Sequence, residues 1–169
     1  AFLILFCLLA SGAHALCGQQ EQLYMSCEIA GRDTHVSICF DEDRIYYRYG
    51  TVDGVPELEL EEPLASVSYI PSSRIGQSVW DEVRFGNGQY TYKIETGFLT
   101  DRENLLEGEW PPAVRFGDIR WGGIDVLRGG EILAELVCEF ETINFNQVDL
   151  MEALGIDGVA VWEPWIAPE

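Results

Sequence analysis

A hairpin near the start of the chain constrains the fold more than any other stretch. Residues 23–40 read LYMSCEIAGRDTHVSICF, in which two alternating runs flank a turn at Gly31-Arg32. Because neighbouring side chains of a strand point to opposite faces, antiparallel pairing places Cys27 on an apolar face and Cys39 on the other. The apolar face also carries Leu23, Met25, Ile29, Val36, Ile38 and Phe40, and the other face carries Tyr24, Ser26, Glu28 and Ser37. The hairpin predicts an antiparallel sheet with one cysteine pointing into a core.

The first fifteen residues have the features of a signal peptide. AFLILFCLLASG is apolar and uncharged, and Ala13-His14-Ala15 fits an A-x-A cleavage site. The run is short for a bilayer span, and no stop-transfer pattern follows it. The alternatives are a buried N-terminal strand or helix, and a lipoprotein modified at Cys17, although Leu16 is larger than the residue a lipobox places there. We expect a periplasmic or secreted product that begins near Leu16.

Four cysteines follow this segment, and an even number in an exported chain is typical of disulfides. They are Cys17, Cys27, Cys39 and Cys138. Alternation places Cys27 and Cys138 on inward faces, while Cys17 lies just before the strand that pairs with the strand of Cys39. Of the three connectivities, we therefore predict Cys27–Cys138 and Cys17–Cys39. The spacings match no zinc pattern, so we expect neither a metal nor another cofactor.

Alternation with period two continues through most of the chain. The predicted later strands are Arg44–Tyr49, Glu57–Glu62, Val67–Ile70, Val79–Phe85, Gln89–Thr96, Ala113–Trp121, Ile124–Leu127 and Glu131–Phe140. In the last of them Ile132, Ala134, Leu136, Cys138 and Phe140 are expected to face inward. Asn87-Gly88 supplies the positive φ angles of a tight hairpin turn. The pattern predicts an all-β fold, an antiparallel barrel or sandwich of about eight strands, over residues 16–145.

One short helix is expected after the strands, over Gln147–Leu154. Asn146 is its expected N-cap and Gly155 its expected stop. The remaining tail contains Trp162 and Trp165, which either pack across the β domain or hang loose. Residues 146–169 are therefore treated as a helix and an aromatic, proline-containing tail.

The formal net charge of -19 limits the classes of partner. A nucleic acid or an anionic membrane surface would be repelled, whereas a basic protein would be attracted and steered towards the chain. The alternative is that the acidic residues keep the surface hydrated in salty water, as the presence of a single lysine, Lys93, also suggests. Calcium could bind at Asp41-Glu42-Asp43 or at Asp149–Asp157, but neither segment matches an EF-hand loop.

Catalytic motifs are sparse. The sequence has no G-x-S-x-G motif, and His35, expected to be outward and solvated, is the only histidine after the apolar start. Asp81 and Glu82 beside Trp80 are the most suggestive carboxylates for a carbohydrate-active enzyme, since glycosidases use carboxylate pairs and tryptophan often stacks on sugars. In the competing interpretation Trp80 packs and Glu82 is solvated.

Residues 72–76 (SSRIG) are predicted to form a polar loop that carries an arginine in a chain with few basic residues. Loops on rigid β scaffolds often bind partners, although an ordinary connection between strands would look similar. The candidate binding residues are Ser72, Ser73 and Arg74 of this loop, together with Trp80.

Three features together resemble the periplasmic inhibitors of C-type lysozyme. These are the YMSC run at 24–27 that opens a strand, the Ser/Arg/Gly loop before Trp80, and the LVC run at 136–138 that ends the last strand. The resemblance implies a small exported β-barrel in which a loop serine and a basic residue enter the lysozyme cleft, so Ser72, Ser73 and Arg74 would be the counterparts. The chain is at least as similar to uncharacterised exported proteobacterial proteins.

Three functional hypotheses follow from these features. The first is an exported, disulfide-stabilised binding module, with lysozyme inhibition as its most concrete form and a basic protein such as a lysozyme as its partner. The second is a structural protein of the envelope or periplasm without catalytic activity. The third is a carbohydrate-active enzyme that uses paired carboxylates.

Overall fold

The computed structural model describes residues 17–51, 54–75, 78–99 and 120–156. Within these ranges the chain forms ten strands and one α-helix. The expected signal peptide (residues 1–15), most of the expected strand Ala113–Trp121, and the tail with Trp162 and Trp165 lie outside the described residues. No helix in the described ranges is long and apolar enough to cross a membrane.

The strands form two antiparallel five-stranded sheets. In chain order they are β1 (Gln22–Glu28), β2 (His35–Phe40), β3 (Arg44–Gly50), β4 (Leu58–Pro63), β5 (Ser68–Ile75), β6 (Ser78–Asn87), β7 (Tyr90–Leu99), β8 (Arg120–Arg128), β9 (Glu131–Val137) and β10 (Asn144–Phe145). The first sheet has the order β10-β1-β2-β3-β4, and the second has the order β5-β6-β7-β8-β9. The predicted all-β class is confirmed, and the architecture is a sandwich whose sheets do not close into a barrel.

Alternation forms the sheets as the sequence predicts, and β4 is a clear example. Leu58 and Leu60 pack against the core, whereas Glu59 and Glu61 point outward. On the neighbouring strand, Arg48 Nε donates to Glu59 Oε1 at 2.8 Å. One face of this strand is therefore apolar and packed, and the other is charged and wet, as is common in antiparallel sheets.

The strands of the two sheets cross rather than run alongside each other. Near the start of β1, the Tyr24 hydroxyl lies 3.4 Å from Thr96 Oγ1 on β7. Near the end of the same strand, Cys27 is bonded to Cys138, just after β9. Cys138 also forms an isolated bridge with Ile29, just after β1, and its backbone N–H donates to the carbonyl of Gly122 on β8. The first strand and the end of the last long strand are thus joined at one corner of the sandwich.

Both predicted disulfides are confirmed. The Cys27–Cys138 bond, called here the long-loop disulfide, joins residues 111 positions apart, and the Cys17–Cys39 bond, called the short-loop disulfide, joins residues 22 apart. Because Cys17 is bonded to another cysteine, it does not carry a lipid thioether. Glu21 lies close to the short-loop disulfide, but sulfurs in a disulfide are not thiolates and are not available as metal ligands.

A β-bulge in β1 overturns part of the predicted face assignment. The register with β2 shifts between Leu23 and Met25, and Leu23 pairs with Cys39 instead of facing the core. Tyr24, expected to point outward, is fully buried beside Met25. A bulge adds one residue to one strand, so the alternation on its two sides is out of phase.

Three further sequence expectations are wrong in detail. Ile132, expected to face inward, is 48% exposed, because β9 is an edge strand whose register with β8 shifts at an extra residue, Leu133. Phe140, also expected to face inward, is 44% exposed, because β9 ends at Val137 and Phe140 begins a 3-10 turn. The β6–β7 turn takes its positive φ from Gly88 alone, since Asn87 still pairs within the strands. His35 is half-buried rather than solvated, and neither ring nitrogen has a partner in the described structure.

The predicted short helix is confirmed as α1 (Gln147–Ala153). The Asn146 side chain accepts a hydrogen bond from the backbone N–H of Asp149, and Gly155 takes a positive φ of 68° after the last turn. Leu150 and Met151 are buried, so the helix packs into the sandwich core rather than projecting from it.

Candidate functional site

The residues predicted to form a binding loop lie in a strand instead. Ser72, Ser73 and Arg74 belong to β5, where Ser73 pairs with Trp80 of β6. The register of this edge strand shifts next to Pro71, so its sequence shows no regular alternation and resembles a loop. The side chains of the three candidates lie outside the described part of the structure.

Trp80 lies on the outer face of the second sheet. It pairs with Gly97, which pairs on its other side with Trp121, so the two tryptophans stand about 10 Å apart across a glycine. The Trp121 ring covers this glycine, because a Cβ built on Gly97 would lie 2.7 Å from its Cε2 and Cζ2. Trp121 is 37% exposed and Trp80 is half-buried. Alternation along the chain does not predict this arrangement, because Trp80 and Trp121 lie on strands that are not consecutive.

Asp81 and Glu82 do not form the carboxylate pair considered from the sequence. Adjacent residues on β6 point to opposite faces, so Asp81 faces the core and Glu82 faces outward. Glu82 is nearly fully buried instead of solvated, and its Oε1 accepts a hydrogen bond from Arg84 Nε in an ion pair. A glycosidase needs both carboxyl groups on one cleft, which these two residues do not provide.

Asp81 is the centre of a buried hydrogen-bond network. Its Oδ1 accepts from Thr96 Oγ1 at 2.7 Å and from Gln147 Nε2 at 2.9 Å, and its Oδ2 accepts from the Tyr69 hydroxyl at 2.8 Å. Burial raises the pKa of Asp81, against the opposing effect of these donors. The network joins β5, β6, β7 and α1, so its chemistry fits a structural role.

Asp41, a candidate calcium ligand, has both oxygens engaged in its own turn. Oδ1 accepts from the backbone N–H groups of Asp43 and Arg44 at 2.9 and 2.8 Å, and Oδ2 accepts from the Tyr46 hydroxyl at 2.9 Å. These bonds, first the one from Asp43, lower the pKa of Asp41. The carboxylate therefore shapes the β2–β3 connection. Asp157, from the other candidate segment, lies outside the described residues.

A cleft of about 360 Å³ opens between the two sheets. Its walls are Tyr47, Tyr49 and Leu58 of the first sheet and Tyr92, Val126, Ala134 and Leu136 of the second. Arg32, from the β1–β2 turn, and Glu57, just before β4, complete the lining. The volume is at the small end of the range of roughly 300–1,000 Å³ that is usual for ligand sites.

Aromatic rings form the inner wall of the cleft. Tyr47 is only 1% exposed, and its ring centroid lies 5.8 Å from that of Phe85 and 5.4 Å from that of Tyr92. Ala134, in register with Val126 and Tyr92 on the second sheet, adds a small, exposed side chain to the lining. The sequence places Tyr47 and Tyr49 on one inward face, but a gap between two sheets depends on distances that alternation does not give.

The hydroxyl groups of the cleft tyrosines are unpaired. Among the described residues, Tyr47, Tyr49 and Tyr92 have no hydrogen-bond partner for their side chains. Burial raises the pKa of Tyr47, and the nearby hydroxyls of Tyr92 and Tyr49 raise it further. The three groups are therefore close enough to influence one another. None of the three hydroxyl oxygens is a buried polar atom without a partner, so these groups face the open cleft and not the packed core.

Arg32 differs from the other basic side chains of the described structure. Arg44, Arg48, Arg84 and Lys93 form ion pairs, and Arg120 and Arg128 lie over aromatic rings. Within the described ranges Arg32 has neither kind of partner, although the chain has a large excess of carboxylates. It is exposed at the cleft, and no ion pair joins it to Glu57. The cleft therefore combines an apolar, aromatic wall with unpaired hydroxyls and two separate charges.

No protein-family model, curated protein or solved structure matches the chain.

Proposed function

We propose that the protein is a binding module whose inter-sheet cleft holds a small amphipathic ligand. The observation that carries this proposal is the cleft of about 360 Å³, with Tyr47, Tyr49 and Tyr92 exposing unpaired hydroxyls to it. The apolar wall would bury the body of a ligand, and the hydroxyls would bind polar groups on it.

Stability alone does not account for such a cleft. Protein cores are normally close-packed, whereas the cleft leaves part of its apolar wall without contacting atoms. A larger side chain at Ala134 would fill part of this space. A site that is open and retains polar groups is typical of ligand binding, and the long-loop disulfide joins the two sheets before a ligand arrives.

The proposal is tested by placing a large side chain in the cleft and measuring the binding of a neutral fluorescent probe, N-phenyl-1-naphthylamine. Ala134→Trp should weaken probe binding at least about tenfold, because the indole occupies the space of the ligand. The matched control, Ala153→Trp, places the same side chain on the exposed end of α1 and should leave binding unchanged. Equal binding by both variants, or no binding by the unaltered protein, would overturn the proposal.

A second candidate function is inhibition of a basic enzyme such as a C-type lysozyme, through Ser72, Ser73 and Arg74 with Trp80. The net charge of -19 and the position of β5 at a sheet edge favour it, because edge strands can pair with another protein. Arg74→Ala should then weaken inhibition of hen-type lysozyme at low salt, whereas Arg128→Ala, with the same change of charge, should not. Absence of inhibition at micromolar protein would rule this function out.

We also propose that the protein is exported to the periplasm or secreted. The two disulfides support an oxidising compartment, and the apolar start with its A-x-A sequence supports a cleaved signal. N-terminal sequencing of the exported protein should give a start near Leu16. A mature protein that retains residues 1–15 would contradict this.

A further inference from the structure

We infer that the ligand of the cleft is a small zwitterion with an apolar body, of the kind of a free α-amino acid with an aromatic or branched side chain. This inference rests on the proposed function and adds the chemical class of the ligand. It follows from the two charges at the cleft, the unpaired hydroxyls and the field of the whole chain.

Arg32 is the anion-binding group of the cleft. A guanidinium presents several donors in a plane, which suits a carboxylate, and this one is not already committed to a carboxylate of the protein. The unpaired hydroxyls of Tyr47, Tyr49 and Tyr92 can donate to the same group or to its neighbours. A carboxylate on the ligand would therefore find donors on more than one side.

Glu57 sets the second requirement. It is exposed, lines the same cleft, and has no ion pair with Arg32 or with another described residue. A simple anion bound by Arg32 would lie near this carboxylate and inside the field of a chain with net charge -19, which opposes its entry. A ligand that also carries an ammonium group would turn the repulsion by Glu57 into attraction and would cross the field with no net charge.

The walls set the third requirement. Tyr47, Tyr92, Leu58 and Leu136 present rings and branched aliphatic groups, so burial of an apolar side chain supplies much of the binding free energy. Glycine, which has the same zwitterionic head without an apolar body, should bind far more weakly than phenylalanine or leucine.

Isothermal titration calorimetry with four probes separates these requirements. The probes are L-phenylalanine, its amide without a carboxylate, its N-acetyl derivative without an ammonium, and glycine. L-phenylalanine should bind at least about tenfold more tightly than each of the others, since a hydrogen bond to a charged group is worth about 1.5–3 kcal/mol. The two blocked forms also stand for the ends of a peptide, so equal binding of one of them would point to a peptide terminus and overturn the free amino acid.

Charge variants assign each contact. Arg32→Gln should reduce the affinity for L-phenylalanine to that for its amide and leave the affinity for the amide unchanged, whereas Arg128→Gln, which removes the same charge elsewhere, should change neither. Glu57→Gln should reduce the affinity for L-phenylalanine to that for N-acetyl-L-phenylalanine and leave the affinity for the N-acetyl form unchanged. Glu131→Gln, which removes the same charge elsewhere, should change neither. If the neutral naphthylamine probe binds but the zwitterion has no advantage, the ligand class is wrong and the cleft function remains. If nothing binds, the proposed function itself fails.

Discussion

The buried Asp81 network gives the sharpest test of how this sandwich is stabilised. Asp81→Ala removes the acceptor for three donors, of which Thr96 Oγ1 and Gln147 Nε2 are on buried residues and Tyr69 is half-buried. Thr96 and Tyr69 lose their acceptor, at a cost of about 1–3 kcal/mol for each buried donor, and Thr96 keeps only the 3.4 Å contact with Tyr24. We expect a loss of about 2–4 kcal/mol in the free energy of unfolding.

Two matched variants show whether this loss comes from the network. Asp81→Asn keeps an acceptor for Thr96 and Gln147 and should cost about 1 kcal/mol or less. Glu82→Ala removes a neighbouring carboxylate on the outer face. Its partner Arg84 is half-exposed and can bind water instead, so this change should cost less than Asp81→Ala.

The pH dependence of the free energy of unfolding gives an independent test of the Asp81 network. Burial raises the pKa of Asp81 above its ordinary value of 3.8, so the folded state binds this proton more strongly than the unfolded state. The contribution of Asp81 is therefore largest below pH 3.8 and is lost as the pH rises through the folded pKa. Asp81→Asn has no such group, so its stability relative to the unaltered protein should improve as the pH rises through this window.

Urea unfolding followed by circular dichroism measures all of these differences. The reasoning would be refuted if Asp81→Ala unfolded at the same urea concentration as the unaltered protein. It would also be refuted if Glu82→Ala cost more than Asp81→Ala, since the outer carboxylate would then be the structural one.

Three further predictions concern the disulfides, one glycine and one histidine. Replacing both cysteines of the long-loop disulfide by alanine should cost about 5 kcal/mol in urea unfolding, against about 3.5 kcal/mol for the short-loop disulfide, because the longer loop gains more chain entropy; a larger loss for the short loop would contradict the entropic account. Gly97→Ala should lower the free energy of unfolding by about 1–3 kcal/mol in the same assay. The new Cβ would lie 2.7 Å from both the Trp121 ring and the Val79 carbonyl oxygen, and an unchanged urea midpoint would contradict that packing. Burial lowers the pKa of His35 from 6.5, with an opposing effect of Glu28, so stability should fall as the pH drops below about 6.5; His35→Phe should lose this dependence, and an unchanged profile would show that another group titrates.

Most of the fold can be predicted from the alternation of apolar residues along each strand and from the faces on which the cysteines lie. Cys27 and Cys138 were predicted to meet because both lie on inward faces, and the capped helix after Asn146 forms as expected. These features depend on neighbouring residues or on one closing contact. The predicted side-chain faces are wrong where a strand contains a β-bulge, as at Tyr24. The extra residue reverses the face assignment of the residues on one side of it.

The candidate site could not be predicted in the same way. The cleft depends on how far Tyr47 of one sheet stands from Tyr92 and Ala134 of the other, which strand patterns do not contain. The polar run at 72–74 looked like a loop because an edge strand does not need regular alternation when its partner strand supplies the packing. A tyrosine-rich inward face was visible in the sequence, and it was the one signal that the core would contain polar groups.

Nuclear magnetic resonance of protein with isotopically labelled tyrosine rings shows whether the ligand enters the cleft. On titration with L-phenylalanine, we expect saturable shifts in the ring signals of Tyr47, Tyr49 and Tyr92. The signals of Tyr24 and Tyr69, which belong to the Asp81 network, should change little. Shifts confined to the tyrosines of that network would show that the ligand binds elsewhere. No shifts, together with no binding of the naphthylamine probe, would show that the cleft is not a binding site.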